Sequence, residues 1–231
     1  MPYQCLNEER RIYFKRSSEK ALGDVTKMVF DFDGVLVQTL QSCNQNIRKI
    51  VDYYFLEILG LQGRRGKLVT LGDIQMFKDT GLYNNDWTLS YAIITYYLAI
   101  LMRKLQQRGV LHDLIKQFKD IQFLDVCSFI QTLHEVGEYS KRHGIEATEL
   151  TNMKNDETLG LKSLLTLVKK RNQHLETILM CSLSQAEGKQ QEFIKKLVPY
   201  SLEKPDLLKR LFEESYLGKE LFNKFYGVTP A

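Results

Sequence analysis

The sequence predicts a mostly α-helical protein with a small α/β portion, in which one buried strand near the N-terminus is followed by a long helical block. Three observations predict it. The run Val25 to Phe30 is β-branched and apolar and leads straight into Asp31-Phe32-Asp33-Gly34. From Val37 onward the apolar residues recur at i, i+3 and i+4, the period of a helix. The composition is that of an ordinary globular chain: 231 residues, 44% hydrophobic, 26% charged and only four Pro. That is enough for one domain, or one domain with a large insertion, and it excludes disorder and collagen-like repeats. The expected organisation is an N-terminal extension over 1–22, the strand and its loop over 23–38, the helical block over 39–227 and a short tail over 228–231.

Taken in order, residues 1–22 are polar and charged (Glu8, Glu9, Arg10, Arg11, Lys15, Arg16) and predict a loose extension. Val25 to Phe30 is the one strand, with Gly34 as its punctuation. Ile47, Ile50, Val51, Tyr54, Phe55 and Ile58 form a helical stripe that Gly60 stops. Gly63-Arg64-Arg65-Gly66 is a basic turn. Thr70 caps a short helix with Asp73 in the box position, and Gly81 ends it. Asp86 is placed to cap the next helix, which runs through Trp87, Tyr91, Ile94 and Leu98 toward Gly109. Its apolar stretch from Leu89 to Met102 is interrupted by Ser90, Thr95 and three tyrosines and is followed by Arg103 and Lys104. It falls short of the ~20 apolar residues a membrane span needs, so a buried helix is expected and a membrane partner is not. Further stripes fit Leu114 to Phe118, Val126 to Val136, Leu161 to Leu167, Leu175 to Leu183, Phe193 to Leu197 and Leu207 to Phe212, the last with Pro205 at a first-turn position.

Charge and cysteine usage narrow the classes further. Lys+Arg 32 against Asp+Glu 28 gives a net charge of +4, with the signs interleaved, so a nucleic-acid partner is disfavoured though not excluded. Short basic runs such as Gly63 to Gly66 and Lys169-Lys170-Arg171 are as a rule solvated faces. Cys5, Cys43, Cys127 and Cys181 form no Cys-x-x-Cys pair, and no secretory apolar segment opens the chain, which predicts reduced, mostly core thiols and a cytoplasmic location. His112, His134, His143 and His174 share no metal-ligand spacing. Nothing matches a nucleotide-binding glycine loop.

The chemistry concentrates in Asp31-Phe32-Asp33-Gly34. Two carboxylates two residues apart at a strand's end suit phosphoryl transfer: the first attacks phosphorus, and the second protonates the leaving oxygen and then activates water. Gly34 lets the chain turn so that both face the open end of a sheet. A hard divalent cation such as Mg²⁺ would let an anionic carboxylate approach an anionic phosphate.

Val29-Phe30-Asp31-Phe32-Asp33-Gly34-Val35-Leu36-Val37 resembles the first motif of the haloacid dehalogenase-like (HAD) hydrolase superfamily. The resemblance implies that Asp31 is the nucleophile and a Mg²⁺ ligand, and that Asp33 is the general acid/base and a ligand through its backbone carbonyl. An acid at Asp33 points to the phosphatases of that superfamily rather than its dehalogenases. It also implies that the helical block is a cap inserted after the first core strand. Phe77-Lys78-Asp79-Thr80-Gly81-Leu82-Tyr83-Asn84-Asn85-Asp86-Trp87 resembles a cap element of one branch, which makes Lys78 a contact for phosphate or carboxylate and Asn84, Asn85 and Trp87 walls of the substrate pocket. A turn and helix cap at Asn84 to Asp86, with Trp87 anchored in the core, is the equally weighted reading of the same residues.

The sequence also departs from the family. Gln38 stands where many relatives carry an acid, and Leu82 where the cap element often has glycine. A phosphate-binding Ser or Thr at a second strand, a catalytic Lys and a later acidic pair are not found. Thr177 to Ser182 fits a helix better than a strand, and Asp206 is the last aspartate. With the rest of the Rossmann-like core apparently absent, the expected function is a split or incomplete Mg²⁺-dependent phosphatase of a small phosphorylated metabolite. A second polypeptide, or self-association, would complete it. The alternative is an inactive relative whose helices serve as a binding or dimerisation module.

Overall fold

Two short strands open the chain. The computed structural model describes residues 3–7, 12–15, 26, 40–122, 125–156, 160–184, 188–199 and 207–226. Strand β1 (Tyr3–Asn7) pairs antiparallel with β2 (Ile12–Lys15), coupling Tyr3 with Lys15, Gln4 with Phe14, Cys5 with Tyr13 and, across a bulge, Asn7 with Ile12. This hairpin stands where the sequence predicts a loose extension. Its strands are too short for alternation to register in the sequence. Except for Thr26, the strand expected over Val25 to Phe30 and the loop carrying Asp31 and Asp33 lie outside the described residues. The chain divides into two units, 1–40 and 41–231. The hairpin belongs to the first and the helices to the second.

Helix α1 (Leu40–Asp52) continues into a π-helical turn, Tyr53–Ile58. The predicted stripe Ile47, Ile50, Val51, Tyr54, Phe55 and Ile58 is buried, while Tyr53 remains exposed. The change of pitch falls where Tyr53, Tyr54 and Phe55 follow one another. The wider turn directs Tyr54, Phe55 and Ile58 inward together. Phe55 then meets Tyr97 edge-to-face with ring centroids 5.7 Å apart, and the Tyr54 hydroxyl donates to Leu197 O at 2.8 Å.

Helix α2 (Leu71–Lys78) begins with the predicted capping box: Thr70 Oγ1 accepts the Asp73 N–H at 3.1 Å, and Asp73 Oδ2 accepts the Thr70 N–H at 2.8 Å. Helix α3 (Asp86–Gln107) has a different cap from the one expected. Asn85, not Asp86, is the N-cap, its Oδ1 accepting from Trp87 N–H at 2.9 Å and Thr88 N–H at 3.1 Å. Both residues suit a cap. The extended backbone of Asn85 takes the position and leaves the Asp86 carboxylate in the first turn, where the helix dipole favours it. Asn85→Ala is expected to cost about 1 kcal/mol in a chemical denaturation curve, and Asp86→Asn less.

From Leu89 to Met102 every residue of α3 but Tyr91 is buried. A helix apolar on all sides belongs at the centre of a bundle. At ~1.5 Å per residue it forms a rod of roughly 33 Å. The remaining helices surround it: α4 (Leu111–Gln117), α5 (Val126–Arg142), α6 (Ala147–Asn152), α7 (Leu161–Arg171), α8 (Leu175–Ser184), α9 (Gly188–Leu197), α10 (Leu207–Leu217) and α11 (Lys219–Tyr226). Helices α4, α6, α8, α9 and α10 pack on α3 directly. Ser182 lies within α8, as the helical stripe there requires. Gly218, at φ +77°, separates α10 from α11. No helix among the described residues is long and apolar enough to cross a membrane. Cys43 is half-buried and Cys127 exposed, so the expectation of mostly core thiols fails at Cys127.

Candidate functional site

The predicted cap element comes together around the start of α3. Lys78, the last residue of α2, places its Nζ 3.1 Å from Asp86 Oδ1, both side chains being largely shielded. The carboxylate that Lys78 meets is thus one of this chain's own. Asn85 caps α3. Trp87 is half-buried: Phe212 of α10 stands edge-on to it with centroids 6.3 Å apart, and the Lys209 ammonium sits 5.0 Å above its ring. Its indole Nε1–H is buried without a hydrogen-bond partner.

These residues wall a pocket. Asn84, Asn85, Asp86 and Trp87 line an open pocket of about 390 Å³ together with Cys43 from α1 and Phe212, Glu213, Tyr216 and Leu217 from α10. Three of the four predicted pocket residues therefore share one cavity. Lys78 supports it from behind through Asp86. The cavity can take a small molecule against an aromatic wall, with the asparagine amides as polar contacts.

A larger cavity, about 680 Å³, was not foreseen from the sequence. It lies between α1, the π-turn, the Gly63 to Gly66 turn and the junction of α10 with α11. Asp52, the last residue of α1, is 8% exposed. One of its oxygens accepts the Gly66 N–H at 2.5 Å, and the other has no partner. Burial pushes its carboxyl up from the ordinary value, against the Gly66 hydrogen bond and the nearby Arg48, which pull it down. Arg48 holds the same turn by its carbonyls, donating to Gly66 O at 3.2 Å and Val69 O at 3.1 Å. Arg65 is bound to Glu57 at 2.6 Å, and Arg64 is exposed. The basic turn was legible, but the carboxylate behind it was not, because nothing in the local sequence distinguishes Asp52 from a solvated helix acid.

A third polar group is structural. Tyr83 is fully buried, and its hydroxyl accepts the Leu175 N–H at 2.6 Å, satisfying the start of α8, while donating to Glu176 Oε2 at 3.3 Å. His174 Nδ1 lies 3.5 Å from Glu176 Oε1. Burial, the largest effect, raises the Glu176 carboxyl above its ordinary 4.5. A carboxyl raised on folding binds its proton more tightly in the folded state. Its contribution to stability is complete below the unfolded value and is lost as pH climbs through the folded one. Glu176→Gln keeps an acceptor for Tyr83 without that titration. We expect the melting temperature of the variant to gain on the wild type as pH rises from 5 to 8; parallel curves would show that Glu176 does not titrate in this way.

Among the described residues no group of three or more His, Cys, Asp or Glu is placed to hold a metal ion. Asp31 and Asp33, the expected nucleophile, acid/base and Mg²⁺ ligands, lie outside the described residues. The chain matches no protein-family model, no curated protein and no solved structure.

Proposed function

We propose that the chain carries the nucleophile loop and the helical cap of a HAD-like phosphate-ester hydrolase acting on a small phosphorylated metabolite. One observation carries this reading: Asp31-Phe32-Asp33-Gly34, with its apolar lead, is followed within ten residues by a helical unit in which the motif-like run Asn84 to Trp87 walls a small-molecule pocket together with Cys43. In the reaction an Asp31 oxygen attacks phosphorus and the phosphorus–ester oxygen bond breaks. Asp33 gives the departing oxygen its proton. Asp33 then takes a proton from water, which attacks the aspartyl-phosphate and releases inorganic phosphate and the Asp31 carboxylate. The two hard oxygen donors suit Mg²⁺, which when bound neutralises phosphate charge. A second polypeptide, or self-association, would supply the remaining phosphate ligands.

The test is to recover the tagged protein from its own host under native conditions, with whatever it holds, and to measure Mg²⁺-dependent hydrolysis of an aryl phosphate. Activity in that preparation, removed by chelation and by Asp31→Asn, is the expected result. No activity, or equal activity in the variant, overturns the reading. A second reading, a helical binding or dimerisation module, draws on Tyr216, Leu221 and Phe225, exposed apolar residues of α10 and α11. It predicts self-association that Asp31→Asn leaves untouched.

A further inference from the structure

The end of α10 and α11 hold three of the six large apolar side chains that stand exposed among the described residues, Tyr216, Leu221 and Phe225, and Phe225 is the barest of them at 68%. Helix α11 packs on α10, with Phe222 buried and the Arg210 guanidinium of α10 lying 6.0 Å from its ring. Residues four apart on a helix lie one above the other, so α11 carries three adjacent rows. Phe222 marks the inward row. Beside it, Leu221 and Phe225 form an apolar row that nothing covers among the described residues. Next to that, on the solvent side, Glu220 and Lys224 form a charged row. Both are exposed, and neither has an ion-pair partner among the described residues.

The order of the charges identifies what covers the apolar row. A surface that meets its own copy about a two-fold axis must be complementary to itself. When two α11 helices run antiparallel, Leu221 rests on the partner's Phe225, and the two charged rows lie side by side in opposite order. Glu220 then meets the partner's Lys224, and Lys224 meets the partner's Glu220. A parallel pairing would set Glu220 against the partner's Glu220 and Lys224 against the partner's Lys224, and like charges in register cost affinity. The apolar row and the charged row therefore specify the same partner in the same orientation. The contact is small: an eight-residue helix is about 12 Å long, and its pairing covers less than the ~1,200 Å² of a standard stable interface. The association is accordingly weak, with a Kd on the order of 100 µM.

We propose that α11 pairs antiparallel with α11 of a second copy of this chain, Leu221 of each copy seated on Phe225 of the other and Glu220 of each bridged to Lys224 of the other, to form a weak two-fold dimer. The proposal rests on the second reading above, self-association through α10 and α11, and is independent of Asp31. Sedimentation equilibrium of the full chain from about 10 to about 500 µM, a range that brackets the expected Kd, tests it. The wild type should dimerise, and Phe225→Glu should abolish the dimer. Glu220→Lys and Lys224→Glu, each alone, should weaken it about tenfold. Mixed together, these two single variants should associate more tightly than either alone, because one copy then carries two cations in the row and the other two anions. Combining both exchanges in one chain should restore the wild-type affinity. A monomer at every concentration overturns the pairing and the self-association reading together. A dimer that Phe225→Glu leaves intact, or single variants that associate no better mixed than apart, overturns the α11 pairing and leaves self-association to another surface. All three positions are exposed, so the variants should melt with the wild type, and the mixing result needs no variant that disturbs the core.

Discussion

Gly137→Ala is expected to lower the melting temperature by about 10 °C, although helix propensity alone predicts the opposite sign. Gly137 lies inside α5, where alanine is worth about 1 kcal/mol more than glycine in an isolated helix. Here the helix crosses the end of the π-turn so closely that a methyl group on Gly137 would fall on the carbonyl of Leu59. The obstacle is backbone, held by Leu59 N–H to Tyr54 O at 2.9 Å and Leu61 N–H to Phe55 O at 3.0 Å, so it cannot swing aside as a side chain would. The helix must move instead, and Leu133 and Val136, both fully buried, must move with it. Overpacking of this kind costs about 3 kcal/mol, and about 1 kcal/mol shifts the melting temperature by a few degrees in a chain of this size. Gly72→Ala is the control. That glycine also lies in a helix, α2, but its nearest foreign atom is Thr70 Oγ1 at 3.6 Å, an ordinary contact. A thermal melt should show Gly72→Ala at or slightly above the wild type and Gly137→Ala well below it. A Gly137→Ala protein as stable as the wild type would mean that α5 and Leu59 are not in close approach.

The contrast between these two glycines shows what the sequence discloses and what it withholds. Helices were legible wherever burial writes a period: the stripe from Ile47 to Ile58, α3 from Leu89 to Met102 apart from Tyr91, and Leu161, Leu164 and Leu165 are buried as the spacing requires, while Leu167 at the end of its run is exposed. Caps were legible to within a residue. Thr70 with Asp73 is local chemistry and was readable; Asn85 against Asp86 depended on which backbone is extended, and both residue types serve. The pocket residues Asn84, Asn85 and Trp87 could be named from their run, but Cys43, Phe212 and Tyr216 could not, because they reach the same cavity through tertiary packing of α1 and α10. The lone oxygen of Asp52 and the tolerance at Gly72 but not at Gly137 have no local signature at all. They follow from which backbone passes nearby, a property of the packed bundle.

Asp31→Asn is expected to reduce Mg²⁺-dependent phosphate-ester hydrolysis by the natively purified protein to the buffer rate, the largest effect on activity of any substitution in the chain. An amide is not a nucleophile toward phosphorus, and it offers a metal one neutral oxygen in place of an anionic one. Asp33→Asn should act differently. The nucleophile remains, but the proton for the leaving oxygen and the base for water are gone, a loss of about 10²- to 10⁴-fold. On the proposed hydrolase reading the second half-reaction also needs Asp33, so phosphate should dwell on the Asp33→Asn protein. Brief exposure to radiolabelled substrate followed by acid quench should leave label that hydroxylamine releases, and the same treatment of Asp31→Asn should leave none. The helical unit offers an internal check, because its buried core is built from Ile47 onward. Both variants should melt with the wild type, so a loss of activity accompanied by a lower melting temperature would be a folding effect rather than evidence for the nucleophile. Label retained on Asp31→Asn would place the covalent step on another residue and remove the ground for reading Asp31-Phe32-Asp33-Gly34 as a hydrolase loop.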